Sequence, residues 1–244
     1  MTQEDLKNLP KIVEKFKKSN YPVALTGAGI SAESGIPTFR GESGLWKNFR
    51  PEELATPEAF RVHPEIVREW YNWRREIISK AKPNPGHYAL AELERYNPNF
   101  TIITQNVDGL HLRAGSKKVI ELHGNIFREK CSRCNRIYNE PVYETLAYCD
   151  CGGLLRPDVV WFGEPVTSIN EAINVALQCD FMFVIGTSGI VQPAASLPFY
   201  AKNNGAFIVE INLEPTPISD IAHVSLYGKS GEILPKIVNN LIKT

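Results

Sequence analysis

Strand-like and helix-like runs alternate along most of this chain, and that alternation limits the possible folds more than any other feature. Short runs rich in β-branched and aromatic residues occupy 23–25, 101–104, 119–122, 181–185, 207–211 and 223–226. Stretches with apolar residues at helical spacing occupy 4–18, 64–80, 86–96, 169–177, 193–203 and 232–242. Parallel strands need a crossover, usually a helix, so this order predicts an α/β fold: a Rossmann-like parallel sheet covered on both faces. Two stretches break the pattern. Residues 31–80 are first punctuated by Pro and Gly and then helical, and residues 124–156 carry four of the five cysteines. Both read as excursions that together form a small inserted domain. The large domain is then 1–30, 81–123 and 157–244, with Pro83-Asn84-Pro85-Gly86 marking a return to it.

At 244 residues, 43% of them apolar, the chain has room for one large domain and a small insert. Lys+Arg and Asp+Glu are both 27, so bulk charge gives no reason to expect a nucleic-acid or membrane partner. No run approaches the ~20 apolar residues of a membrane span. The first twenty residues mix acids and lysines with Leu6, Leu9, Ile12, Val13 and Phe16 at helical spacing, unlike a signal or transit peptide. A cytoplasmic location is expected.

The first strand runs into Gly27-Ala28-Gly29-Ile30-Ser31-Ala32, which fits G-x-G-x-x-G/A directly after a strand. The glycines permit a tight turn and close approach of backbone to a pyrophosphate, and Ala32 is small enough for close helix packing. A dehydrogenase would place a ribose-holding acid at a strand end roughly 20 residues further on. Here that spacing falls on Glu52 and Glu53, beside Pro51 and in no strand. Asn212 and Glu214, after the 207–211 strand, are alternative holders of the ribose, so the chain can bind a dinucleotide without transferring hydride. The polar excursion from Ser31 to Gly41 leaves directly from the glycine turn and is expected to close over a nucleotide, with Phe39 and Arg40 near the ribose.

Two further strands end on chemistry. Residues 101–104 deliver Gln105, Asn106 and Asp108; residues 119–122 deliver His123. Polar side chains at the carboxyl ends of adjacent parallel strands build the ligand crevices of open α/β sheets. A histidine there can take a proton from a ribose hydroxyl near neutral pH.

Cys131-Ser-Arg-Cys134 is followed by Cys149-Asp-Cys151. Two short-spaced pairs in a chain without a secretion signal favour one tetrahedral zinc over disulfides. Four thiolates leave no open position, so the zinc is expected to be structural. Cys179 reads as a packed core thiol.

Taken in order, these motifs resemble one family, the sirtuins, NAD-dependent protein-lysine deacylases. The matching segments are 27–40, 104–108, 122–124, the four cysteines, Val160-Trp161-Phe162-Gly163, Gly186-Thr187-Ser188 and Glu210-Ile211-Asn212, across nearly the whole chain. The resemblance implies a Rossmann-like large domain, a small zinc-binding domain and an active cleft between them. It implies that His123 is the proton acceptor, assisted by Asn106. It places Gly27, Ala28, Gly29, Ala32, Thr38, Phe39, Arg40, Trp46, Gln105, Asn106, Val107 and Asp108 around the NAD pocket. Gly186, Thr187, Ser188, Asn212, Leu213 and Glu214 then hold the adenosine side, with Ser230 near the adenine. Val160, Trp161, Phe162 and Gly163 pair with an acyl-lysine protein or peptide as an added strand, a segment read as having unpaired backbone to offer.

Within the 64–80 helix, Tyr71 and Arg74 are three apart and project from one face. A guanidinium fork and a hydroxyl donor suit a carboxylate. The pair resembles the one by which class III members of the family receive a succinyl or malonyl carboxylate, and Ala55 matches their small pocket residue. The alternative is a packed Tyr71 and a surface ion pair of Arg74 with Glu69 or Glu76. Rival activities for the chain as a whole are ADP-ribosyl transfer to protein, hydride transfer and a zinc-ribbon nucleic-acid binder. No nucleic-acid or membrane partner is expected.

Overall fold

The structure is a computed structural model and describes residues 3–39, 45 and 50–242. Six strands, β1 (Pro22–Thr26), β2 (Thr101–Thr104), β3 (Val119–Glu121), β7 (Phe181–Ile185), β8 (Phe207–Asn212) and β9 (Val224–Tyr227), form one sheet in the order β3-β2-β1-β7-β8-β9. All neighbours are parallel. The strands read as continuous apolar runs because both faces are covered, and alternate residues feed different cores. Ala24, Ile102, Phe181 and Phe183 pack under α1 (Gln3–Lys17), α6 (Pro85–Tyr96) and α10 (Ser230–Ile242), against Phe16, Leu90 and Ile237. Val23, Leu25, Ile103, Met182 and Val184 pack on the other face, with Ala172 and Ala176 of α8 (Ile169–Gln178) and Leu197 and Ala201 of α9 (Leu197–Asn203).

The six long helices and six core strands lie where hydrophobic periodicity puts them, within a few residues. The 193–203 stretch begins as a 3-10 turn, Ala194–Ser196, before α9. Short elements left no periodic trace: α2 (Gly29–Ala32), α3 (Pro51–Leu54), α4 (Pro57–Val62) and α7 (Leu110–Arg113) span at most a turn or two. Nor did the second sheet, an antiparallel β5-β4-β6 arrangement of β4 (Gly124–Cys131), β5 (Ile137–Tyr138) and β6 (Leu155–Val159). Its central strand buries Glu129 completely, against the alternation expected of a half-buried strand.

Helix α5 (Pro64–Lys80) lies against this small sheet. Val67, Trp70, Tyr71 and Ile78 join Ile126, Val159 and Trp161 in a third apolar core. Beside it, Arg68 and Arg75 pair with Glu129 at 3.2 and 3.0 Å, and all three side chains are fully buried. The guanidiniums also donate to the carbonyls of Ile126, Val142 and Leu155. That satisfies the polar groups that burial would otherwise leave costly. Among the described residues, no helix is long and apolar enough to cross a membrane.

Candidate active site

The sheet order reverses at β1: the chain builds outward through β2 and β3 on one side, then crosses to β7 on the other. Such a switch point opens a crevice at the carboxyl ends of the strands. A cavity of about 930 Å³ lies there, lined by Gly27, Ala28, Gly29, Gln105, Asn106, His123 and Gly186 among others. The glycines have a purpose within the protein as well. A Cβ on Gly27 would stand 2.7 Å from the Gly186 carbonyl oxygen, and one on Gly29 2.7 Å from Gly186 Cα. The turns after β1 and β7 therefore press backbone to backbone, a contact open only to glycine at these positions.

His123 sits between β3 and β4, half-buried, and lines the cavity. Its Nδ1 is 3.0 Å from the Gln105 carbonyl. A carbonyl oxygen only accepts, so Nδ1 carries the proton and Nε2 keeps its lone pair. Burial pushes the imidazole pKa below its ordinary value, opposed by the bond to Gln105. At neutral pH the ring is thus a neutral base with Nε2 as its acceptor atom. The next residue, Gly124, has φ +80°, and a Cβ there would fall 2.0 Å from the Asp158 carbonyl oxygen. Glycine lets β4 leave so closely behind His123.

Behind the crevice lies a buried polar cluster. Asn106 Nδ2 donates to the Gly27 carbonyl at 3.0 Å and to Ser31 Oγ at 3.2 Å, which fixes its amide and leaves Oδ1 as the remaining acceptor. Ser31 Oγ donates to Asp108 Oδ2 at 2.7 Å, and Leu110 N–H to Asp108 Oδ1 at 2.9 Å. Burial raises the Asp108 pKa, against those two bonds and the charge of Arg74. His87 approaches Ser31 Oγ at 3.4 Å and packs tilted against His111, ring centroids 5.0 Å apart; His111 Nε2 is 2.9 Å from Thr26 Oγ1. Burial brings His87 down to about 4 and His111 well below its ordinary value. Ser31, His87, His111 and Thr26 were not singled out from the sequence. Only Ser31 carried a signal, its place in the glycine turn.

On the β7–β8 side, Gly186, Thr187, Ser188, Asn212, Leu213 and Glu214 all line the same cavity. Asn212 Nδ2 donates to the Thr187 carbonyl at 2.8 Å, and Gln105 Nε2 to Thr187 Oγ1 at 3.0 Å. Thr38, Phe39 and Val107 line it too. Ala32, Asp108 and Ser230 do not. Ala32 is exposed at the end of α2, so it does not provide the expected helix packing. Asp108 lies one layer behind, and Ser230 Oγ is 3.3 Å from Glu33 at the start of α10. Arg40 and Trp46 lie outside the described residues. Glu52 and Glu53 are exposed on the short α3, so no strand-end acid of the dehydrogenase kind stands there.

A branch of the cavity runs toward α5. Ala55, Trp70, Tyr71, Arg74, Val160, Trp161, Phe162 and Gly163 line it. Arg74 is buried, its guanidinium 4.9 Å from the Phe39 and Trp70 ring centroids and 5.7 Å from that of Tyr71. Among the described residues no carboxylate pairs with it, so the surface ion pair with Glu69 or Glu76 is not formed. Burial lowers its pKa, opposed by Tyr71 and Asp108. The segment 160–163 has less free backbone than expected. Val160 N–H donates to His123, Trp161 N–H to Glu164 and Phe162 N–H to the Ala55 carbonyl. Among the described residues, the Val160 carbonyl and the Gly163 N–H have no partner and are left for an added strand.

The four cysteine sulfurs of the small sheet lie within 4.8 Å of one another, with Cys131–Cys151 at 3.4 Å and Cys134–Cys149 at 3.6 Å. Thiolates around zinc at 2.3 Å stand about 3.8 Å apart, so the cluster fits one structural zinc ion. None of the cysteines is in a disulfide. Cys179 is buried, and burial raises its thiol to about 12.

Fold and site define an α/β protein with a dinucleotide crevice and a thiolate metal centre on a small second sheet. The model of the Sir2 family matches residues 27–193. An NAD-dependent protein deacylase 2 of Pyrobaculum aerophilum is 53% identical over 235 residues, covering 94% of each chain. A Sir2 homologue solved as its NAD complex superposes with a TM-score of 0.90 at 50% identity, over 96% of this chain and 94% of the other. A Sir2 mutant solved with a deacetylated p53 peptide and 3'-O-acetyl ADP-ribose gives 0.85 at 38% identity, over 95% and 98%. The chain belongs to the Sir2 family, the sirtuins.

Proposed function

We propose that this chain removes acyl groups (acetyl, and succinyl or malonyl) from protein lysine, consuming NAD and giving nicotinamide and O-acyl-ADP-ribose. The acyl oxygen attacks the ribose anomeric carbon as nicotinamide departs. His123 Nε2 then takes a proton from the ribose hydroxyls, so that the 2'-oxygen bonds to the acyl carbon; a water adds there as the carbon–nitrogen bond breaks and lysine leaves as the free amine. Asn106, its amide nitrogen anchored, orients a ribose hydroxyl or water through Oδ1. The zinc orders the small domain and takes no part in the reaction. Supporting this reading are the NAD-dependent deacylases among its relatives and, above all, the neutral His123 with Nε2 free in the cavity that the glycine turns also line.

The remaining roles are part of the same proposal. The residues lining the β7–β8 side hold the adenosine moiety, and those around Phe39, Gln105 and Asn106 hold the nicotinamide ribose. The extended segment Val160–Gly163 receives an acyl-lysine peptide, and the boundary between large and small domains is the one drawn from sequence. A cytoplasmic setting suits four zinc thiolates, because they must stay reduced.

Tyr71 and Arg74 receive a carboxylate at the end of the acyl chain. A buried guanidinium that no carboxylate pairs with among the described residues costs stability, and a ligand anion would repay it. Arg74→Met should lower kcat/KM for a succinyl-lysine peptide by about 100-fold, the worth of a charge-assisted bidentate contact, while deacetylation changes little. Equal losses on succinyl and acetyl peptides would remove this role. His123→Ala should abolish NAD-dependent deacylation of every peptide while circular dichroism stays unchanged. A folded His123→Ala protein with full activity would remove the mechanism.

A further inference from the structure

Trp161 makes a buried contact that its place in the peptide strand does not require. Its indole Nε1–H donates to the Tyr71 hydroxyl oxygen at 2.8 Å, with Trp161 2% and Tyr71 1% exposed. The indole is held firmly in that pose. The Arg156 guanidinium carbon lies 3.3 Å from the Trp161 ring centroid, and Arg156 is paired with Glu164 at 2.5 Å. Glu164 Oε2 also accepts the Trp161 backbone N–H at 2.9 Å. Phe60 packs on the ring, centroid to centroid at 5.3 Å.

An indole nitrogen is a donor only. Tyr71 oxygen must therefore accept, and the phenolic hydrogen has to point elsewhere. Among the described residues no acceptor takes it, and Tyr71 lines the cavity beside Arg74. Arg74 is likewise a donor only. This end of the pocket thus offers hydrogens and takes none. It matches a group that only accepts, an ionised carboxylate. It disfavours a terminal amide of the same shape, whose NH2 would be buried without a partner.

We propose that Trp161 is a positioning residue for acyl selection: by donating to the Tyr71 oxygen it makes Tyr71 a donor, so that among acyl groups long enough to reach it the pocket favours a carboxylate end over a terminal amide. The inference rests on the reading of Tyr71 and Arg74 as the carboxylate receiver. It adds that the segment receiving the substrate peptide also sets the polarity of the pocket.

The test uses the full chain with three peptides differing only at the acyl-lysine: succinyl, its terminal-amide isostere succinamoyl, and acetyl. Trp161→Phe keeps an aromatic ring and removes the N–H. It should cut kcat/KM for the succinyl peptide about ten-fold, mainly through KM, as expected for one hydrogen bond to a charged-group receiver. Because Trp161 also lies in the peptide-binding segment, acetyl turnover should fall too, but by less than succinyl turnover, and the succinyl-to-succinamoyl preference should shrink. Trp161→Phe/Tyr71→Phe should be no worse on succinyl than Tyr71→Phe alone, because both act through one hydroxyl. A parallel loss on all three peptides, an unchanged succinyl-to-succinamoyl ratio or additive single losses would overturn the inference. A wild-type protein indifferent to the three acyl groups, with Arg74→Met also silent, would instead overturn the carboxylate receiver itself and this inference with it.

Discussion

His123 acts through the nitrogen that its backbone bond leaves free. Gln105 accepts from Nδ1, and burial lowers the ring's pKa. A base must be unprotonated, so activity should fall only as pH drops through the lowered value. The acid limb of kcat/KM for an acetyl peptide should have its midpoint below the unperturbed ~6.5. A midpoint above that value would contradict the geometry. His87 titrates the same way for stability. Its folded pKa, about 4, lies below the unfolded value, so between the two the unfolded chain binds more protons. Its contribution is full above ~6.5 and is lost as pH falls toward ~4, by roughly 3 kcal/mol at most. Denaturant titrations at pH 7 and 4.5 should show that loss in the wild type and a shallower one in His87→Gln; identical slopes would contradict it. The position of His123 was legible in the sequence because a lone histidine follows an apolar run. Its tautomer was not, because the accepting carbonyl comes from the neighbouring strand's exit. His87 and His111 were invisible for a related reason: only the fold brings them together behind Ser31.

Among the elements, α5 carries the most. One face packs Tyr71 and Arg74 into the cavity, and an adjoining stripe sends Arg68 and Arg75 to Glu129 of β4. Neutralising Glu129 would leave two guanidiniums buried without their anion. Glu129→Gln should therefore cost about 3–5 kcal/mol, read as a lower denaturation midpoint. An unchanged midpoint would show that the backbone carbonyls suffice to hold the two arginines. The helix itself was readable from its 3.6-residue period. The sheet beneath it was not: β4 runs through three consecutive charged residues, Arg128-Glu129-Lys130, and buries the middle one against two arginines, so it lacks a strand's usual polar-out signature. The free edge read into 160–163 is only partly there, since the N–H groups of Val160, Trp161 and Phe162 go to His123, Glu164 and Ala55.

Across the whole molecule, the large sheet hands over to the small one at a single point. β3 ends at Glu121 and β4 begins at Gly124, so His123 stands at the hinge between them. The cavity reaches from the glycine turns of one sheet to the Val160–Gly163 segment that follows β6 of the other. The small sheet holds the cysteine cluster, so withdrawing the zinc should disturb the peptide-side wall first. Chelation should lower the melting temperature and raise the peptide KM before it alters NAD binding; simultaneous loss of both would point to global unfolding. The parallel sheet and its crevice were legible as strand–helix alternation with polar residues at strand ends. The path joining the two sheets was not, because it depends on the left-handed turn of one glycine. The central claim is that acyl transfer to the NAD ribose takes place in this cavity, and product stoichiometry tests it most directly. Mass spectrometry of an acyl-lysine peptide incubated with the protein and NAD should find free lysine peptide, nicotinamide and O-acyl-ADP-ribose in equal amounts. Nicotinamide release with ADP-ribose attached to protein and the peptide still acylated would contradict the account.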